Sequence, residues 1–226
     1  MNIARYIDHT LLRPDATLEQ IVKLCEEAKL YRFYAVCVNS IWVDLCHRQL
    51  AGSRVKLCSV IGFPFGAIKS YIKIQEAREA FVDCADEIDM VMDIGALKRG
   101  DKERGWNFCR DNISEVRRTV PEIILKVIIE TCLLTDEEKI KACQIAESAG
   151  ADFVKTSTGF GASGATVKDV RLMRQTVGNR LGVKASGGIK TYEMAKAMIE
   201  AGANRLGCSN SIAIIREAME AEKSKK

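Results

Sequence analysis

Short apolar runs alternate with amphipathic stretches along the whole of this chain, and that regularity restricts the fold more than any other feature. Strand-length runs lie at 6–8, 33–38, 55–61, 87–92, 123–129, 152–156, 182–185 and 204–207. Most are apolar almost throughout, the pattern of strands covered on both faces. Helix-like stretches follow them at 17–31, 41–51, 69–84, 103–119, 136–149, 166–177, 191–201 and 210–222. Thr17 with Gln20, Thr135 with Glu138 and Thr166 with Asp169 have N-cap spacing, and Gly150, Gly178 and Gly202 stand where helices stop. Eight such units predict an α/β fold, a single-domain (β/α)8 barrel at the compact end of the usual size of about 250 residues. A doubly wound sheet alternates in the same way. It usually shows an early Gly-rich turn, and the absence of one near residue 10 favours the barrel.

One domain over 1–226 is expected, because only three prolines occur and no low-complexity linker divides the 226 residues. A short basic tail is expected at about 222–226, and the run Lys223-Ser-Lys-Lys226 reads as a solvated end. The net charge is only +4 and no basic patch is interleaved with aromatics, so no nucleic-acid partner is expected. No apolar stretch is long enough for a membrane span, and Met1-Asn-Ile-Ala-Arg-Tyr-Ile-Asp8 has no signal core. The nine cysteines are odd in number, form no Cys-x-x-Cys pair and sit mostly in apolar runs such as Ala35-Val-Cys-Val38. They read as reduced core residues of a cytoplasmic protein.

Three of the later strands carry a lysine: Leu125-Lys-Val-Ile-Ile-Glu130, Phe153-Val-Lys-Thr-Ser-Thr-Gly159 and Gly182-Val-Lys-Ala-Ser-Gly-Gly188. Lys126, Lys155 and Lys184 are spaced 29 and 29 residues apart, which predicts three cations at one level of a shared pocket. A buried lysine is costly to keep charged, and a neighbouring cation adds to that cost, so such an amine tends to lose its proton and become a nucleophile. Strand alternation puts 87, 89, 91 and 93 on one face, with Asp89 and Asp93 directed inward. It also groups Lys126 with Ile128 and Glu130, and Phe153 with Lys155 and Ser157. A single lysine near a strand end is most often solvated or ion-paired, whereas three with aspartates from other strands point to a site. Asp8 also reads as a cap for the turn at His9-Thr10. His9 and His47 read as satisfied polar residues, and no spacing suggests a zinc or iron site.

Ser186-Gly-Gly188 and Gly207-Cys-Ser-Asn-Ser211 follow the last two strands. In a barrel, the loops after those strands often hold a phosphate. The substrate and phosphate contacts expected are Gly187, Gly188, Gly207, Ser209, Asn210, Lys126 and Thr156.

Taken in order, several segments resemble the deoxyribose-phosphate aldolase family over nearly the whole chain. They are Ile7-Asp-His-Thr-Leu-Leu12, Val36-Cys-Val-Asn39, Val60-Ile-Gly-Phe-Pro64, Asp86-Glu-Ile-Asp-Met-Val91, Ile94-Gly-Ala-Leu-Lys98, Leu125-Lys-Val-Ile-Ile-Glu-Thr131, Phe153-Val-Lys-Thr-Ser-Thr-Gly-Phe160 and Val183-Lys-Ala-Ser-Gly-Gly-Ile189. The resemblance implies a metal-free, cofactor-free Schiff-base aldolase on a (β/α)8 barrel. It implies interconversion of 2-deoxy-D-ribose 5-phosphate with D-glyceraldehyde 3-phosphate and acetaldehyde. Lys155 is then the Schiff-base lysine, Lys184 a proton donor or acceptor that perturbs it, Asp89 the acid/base carboxylate and Asp8 part of the supporting network. The partners implied are small phosphorylated sugars and aldehydes, with a homodimer by analogy. Phe65, Asp93, Cys84 and Asn210 depart from the usual leucine, asparagine, glycine and serine, and no tyrosine follows Tyr192. These departures bear on affinity and rate rather than on reaction type. Two other readings compete: another Schiff-base aldolase or transaldolase on the same barrel, distinguished by a substrate panel, and a non-catalytic phosphate-binding relative. Retention of Asp89, Lys155 and Lys184 together argues against the second, because an inert protein has no need of that costly group.

Overall fold

Residues 2–223 are described by a computed structural model of the chain. The strands are β1 (Ile7–Leu11), β2 (Ala35–Val38), β3 (Lys56–Ile61), β4 (Glu87–Val91), β5 (Ile124–Ile128), β6 (Phe153–Lys155), β7 (Gly182–Ser186) and β8 (Arg205–Cys208). All neighbours pair in parallel, and β8 returns to β1, with Ile7 opposite Leu206, so the sheet closes into an eight-stranded barrel. The helices are α1 (Leu18–Tyr31), α2 (Val43–Leu50), α3 (Ser70–Val82), α4 (Ile94–Leu97), α5 (Lys102–Thr119), α6 (Asp136–Ser148), α7 (Val167–Val177), α8 (Tyr192–Glu200) and α9 (Ser211–Lys223). Short 3-10 turns stand at Ile3–Tyr6, Ser40–Trp42 and Thr131–Leu133.

Each main element falls where alternation places it, with small shifts. β1 begins at Ile7 and runs to Leu11 because the 3-10 turn occupies the residues before it. The four-residue α4 is an addition: Asp93, expected inside the barrel, instead caps that helix by accepting a hydrogen bond from the Ala96 N–H. Thr135 and Glu138 form the reciprocal box at the start of α6, and Thr166 accepts from Asp169 N–H at the start of α7. The expected basic tail overlaps α9 at its first two residues, and 224–226 lie outside the described residues.

Register sorts the strand residues into two faces. The outward set, including Val36, Ile88, Leu125, Val127, Val154 and Val183, is fully buried against the helices and forms the main core. The inward set is charged. Asp8, Glu87, Asp89, Lys126, Lys155, Lys184 and Arg205 are all 3% exposed or less. A smaller apolar cluster of Leu12, Cys37, Cys58 and Val60 fills the interior beside them. Among the described residues no helix is long and apolar enough to cross a membrane. All nine cysteines are free, and seven of them are buried.

Candidate active site

The barrel interior converges on one carboxylate. Asp89 lies inside β4, and its Oδ2 accepts from Lys155 Nζ at 2.7 Å and from Lys184 Nζ at 2.7 Å. Its Oδ1 accepts from Lys126 Nζ at 2.9 Å and from the Cys58 thiol at 3.2 Å. Lys184 also pairs with Asp8 Oδ2 at 2.5 Å, and Lys126 with Glu87 Oε2 at 2.6 Å. Arg205 closes the network from β8. It donates to Asp8 Oδ1 through Nε at 2.8 Å and to the two Glu87 oxygens at 3.1 and 2.9 Å. Its guanidinium lies 3.5 Å from the centre of the Tyr34 ring. Each of these ions would be expensive to bury alone and is retained only because it is paired.

The pairing sets the protonation of the fixed members. Burial by itself pushes the Asp89 carboxyl up, but the charges of Lys126, Lys155 and Lys184 outweigh it and hold Asp89 well below the usual range. Burial also raises the Asp8 carboxyl, and Lys184 and Arg205 reverse this and bring it to about 2. Lys184 runs the opposite way: burial lowers it, Asp8 and Asp89 raise it, and the net value lies well above that of an ordinary lysine. The two carboxylates therefore favour the ammonium form of Lys184.

Equal spacing did not place the three lysines at one level. Lys155 is in register with Lys184, whereas Ile128, not Lys126, is the β5 residue opposite Lys155. Lys126 lies one inward position lower, opposite Asp89 and Phe153. It is fully buried and takes no part in the cavity, so its assignment as a phosphate contact is corrected. Thr156 is corrected for a similar reason. Its hydroxyl is spent on Ser186, donating to the carbonyl and accepting from the N–H, and it does not reach the cavity. Asn210 is exposed and donates to the Lys190 carbonyl at 2.9 Å, outside the cavity lining. Glu130 sits beyond the end of β5 with φ 49°, and its carboxylate accepts from the Thr158 N–H and hydroxyl rather than pointing into the barrel. Asp8 is inside the barrel and does not cap the His9-Thr10 turn with its side chain. His9 is satisfied by Ser211 Oγ and Glu27, and His47 is exposed on α2.

A cavity of about 370 Å³ opens at the C-terminal ends of the strands. Lys155 is the one member of the charged cluster that reaches it, and Gly187, Gly188, Gly207 and Ser209 line another part. Gly187 needs its lack of a side chain: φ is +86°, and a Cβ would come within 2.9 Å of Gly164 Cα. At Gly207 a Cβ would come within 2.9 Å of Ser186 Cβ and 3.3 Å of Lys184 Cε. Two surface cations, Arg13 and Lys190, share this lining and were not anticipated. On the far wall Phe160 meets Phe63 edge to face, with centroids 5.4 Å apart. Arg205 and Cys58 were also missed. Alternation through β8 puts Arg205 on the face of Gly207, and that was the available signal. Cys37, Cys58 and Asp89 bring donor atoms within 4.8 Å of one another, but both Asp89 oxygens are already shared by the three lysines.

The arrangement offers an amine to a cavity, beside a paired ammonium and an ionised carboxylate, with glycines lining another part of that cavity. That is equipment for attack on a carbonyl. The model of the DeoC/LacD family of aldolases matches residues 3–216. The chain is 58% identical over 226 residues to a deoxyribose-phosphate aldolase of Thermococcus gammatolerans, covering 98% of this chain and 99% of that one. Among solved structures it resembles the aldolase QR15, with a TM-score of 0.92, 40% identity and 99% of both chains covered. It also resembles a tetrameric deoxyribose phosphate aldolase from Aeropyrum pernix, with a TM-score of 0.88, 30% identity, and 97% of this chain and 92% of that one covered.

Proposed function

This chain belongs to the DeoC/LacD family of aldolases, and from that premise we propose that Lys155 is its Schiff-base nucleophile, with Lys184 and Asp89 managing the protons. The chain is a carbon–carbon lyase that cleaves 2-deoxy-D-ribose 5-phosphate reversibly to D-glyceraldehyde 3-phosphate and acetaldehyde. The observation that carries the assignment of residues is the position of Lys155. It alone of the buried cations lines the cavity, and a single Asp89 oxygen holds it jointly with Lys184.

The neutral Lys155 amine attacks C1 of the open-chain sugar, and the carbinolamine loses water to give an iminium. Removal of the C3 hydroxyl proton breaks the C2–C3 bond, and the electron pair enters the iminium as an enamine. Glyceraldehyde 3-phosphate leaves, C2 takes a proton, and hydrolysis releases acetaldehyde and the amine. Asp89 Oδ2 touches both lysine amines and is the shared relay for these proton transfers. Lys184, held charged by Asp8 and Asp89, supplies the neighbouring positive charge that favours an unprotonated nucleophile. The backbone of Gly187, Gly188 and Gly207 with Ser209 receives the phosphate, and Arg13 and Lys190 in the same lining supply positive charge.

Borohydride reduction in the presence of acetaldehyde and a chelator, followed by peptide mapping, tests this reading. One adduct on Lys155, absent from Lys155→Leu, is expected. Adducts scattered over surface lysines would overturn it. The cytosol is the proposed compartment, on the strength of nine unpaired cysteines. The proposed assembly is a homodimer, built on apolar side chains exposed near the ends of β2 and β3, among them Ile41 and Phe65.

A further inference from the structure

The charges sealed inside the barrel do not balance when all are ionised. Lys126, Lys155, Lys184 and Arg205 stand against Asp8, Glu87 and Asp89, one more cation than anions. A dry interior strongly disfavours an unpaired charge, so the cluster is most stable with one amine neutral. The holds on the four cations are unequal. Lys126 pairs with Glu87 and Asp89, Lys184 with Asp8 and Asp89, and Arg205 with Asp8 and Glu87. Lys155 has one carboxylate oxygen, shared with Lys184, and only Lys155 reaches the cavity through which a proton leaves.

We propose that Arg205 is a positioning residue for catalysis that acts by charge count: by neutralising Asp8 and Glu87 from below, it leaves the cluster one cation in excess and so frees Lys155 to react as a neutral amine. Arg205 touches neither the cavity nor Lys155, and it is 3% exposed, stacked on Tyr34. Its effect passes through Asp8 to Lys184, and through Glu87 to Lys126, and from both lysines to Asp89. Every strand presents a titratable group to the cluster. Asp8 comes from β1, Cys37 from β2, Cys58 from β3, Glu87 and Asp89 from β4, Lys126 from β5, Lys155 from β6, Lys184 from β7 and Arg205 from β8. The Cys58 thiol donates to Asp89 Oδ1 and burial pushes it up, so it counts as neutral, and the Cys37 thiol is directed at Asp89 Oδ2 as a donor. At the foot of the barrel, Lys56 is part exposed and answered by Asp86 outside the cluster.

The inference rests on Lys155 as the nucleophile, which adduct mapping in the unaltered protein tests by itself. The further test follows the rate of the borohydride-trapped acetaldehyde adduct against pH in three variants, each checked for folding by circular dichroism. Arg205→Met removes the excess cation, and its profile is expected to move to higher pH by about one unit. Glu87→Gln adds to the excess, and its profile is expected to move to lower pH by about as much. The double variant removes one charge of each sign and is expected to return to the original profile. Should Arg205→Met fail to fold, the comparison of Glu87→Gln with the double variant carries the same expectation. Removing the guanidinium from the Glu87→Gln background must move the profile back up. Movement of the single variants in one direction, or three superimposed profiles with lowered rates, would overturn the proposal and leave Arg205 a structural residue. Absence of a Lys155 adduct in the unaltered protein would instead overturn the assignment of the nucleophile.

Discussion

At Lys73 burial has no carboxylate in contact to offset it. The side chain enters from α3 with no exposure, and its Nζ donates only to neutral acceptors, the Val91 carbonyl at 2.9 Å and Asn112 Oδ1 at 3.2 Å. Burial therefore brings its amine down to about 8, against the weaker opposing pull of Asp93 and Glu76. Lys126 and Lys184 are buried as deeply, but carboxylates touch them and raise them instead. The consequence for Lys73 has a definite sign. Between pH 8 and 10.5 the unfolded chain binds the proton that the folded chain has lost, so stability rises with pH across that window. The rise amounts to about 3 kcal/mol in full. Urea unfolding at several pH values is expected to show this rise in the unaltered protein and to lack it in Lys73→Met. Nothing in the local sequence distinguishes Lys73 from its exposed neighbour Lys69. Its burial is decided by where α3 lies against the end of β4. Lys126, Lys155 and Lys184 were more legible, because each interrupts an apolar strand, where a charge is out of place unless it is used or paired.

Elements follow local rules closely, and their ends are decided by single side chains. Thr135 Oγ1 accepts from the Glu138 N–H at 3.3 Å, and Glu138 Oε2 accepts from the Thr135 N–H at 3.0 Å, which starts α6 at Asp136. Thr135→Ala is expected to cost about 1 kcal/mol in denaturant unfolding, with the aldol rate unchanged because α6 contributes nothing to the cavity. The pattern read from the sequence included this cap and those of α1 and α7, since a cap needs residues only three positions apart. It did not include α4, whose four residues are too few to show a helical period. Nor did it include register. From Ile128 to its partner Lys155 is 27 residues, while from Lys155 to Lys184 is 29, so lysines equally spaced along the chain end on different levels. Loops absorb such differences without leaving a trace in the periodicity.

For the molecule as a whole, the surface poses the open question of assembly. Ile41 is 80% exposed, Phe65 79% and Tyr71 58%. The turn that carries Ile41 packs against β3, which precedes Phe65, and against α3, which carries Tyr71. Large apolar side chains gathered on a surface commonly mark an interface. Light scattering is expected to give twice the chain mass of 25.0 kDa, and a single chain mass once Ile41→Lys and Tyr71→Lys are combined.

Much of this protein is determined by relations between residues close in the chain. The order of eight strand–helix units, the face each strand residue takes, the helix caps and the lysine of β6 all depend on periods of two or about four residues. Those periods are fixed by backbone geometry wherever the segment lies. Closure of the barrel decided the rest. Arg205 meets Asp8 across 197 residues of sequence only because β8 pairs with β1. Lys126 lies sealed below Asp89 while Lys155 reaches the cavity, because strand register sets which charged side chain stands above the other. Charges act through space, and until the ring of strands is complete no count along the chain says which of them are neighbours.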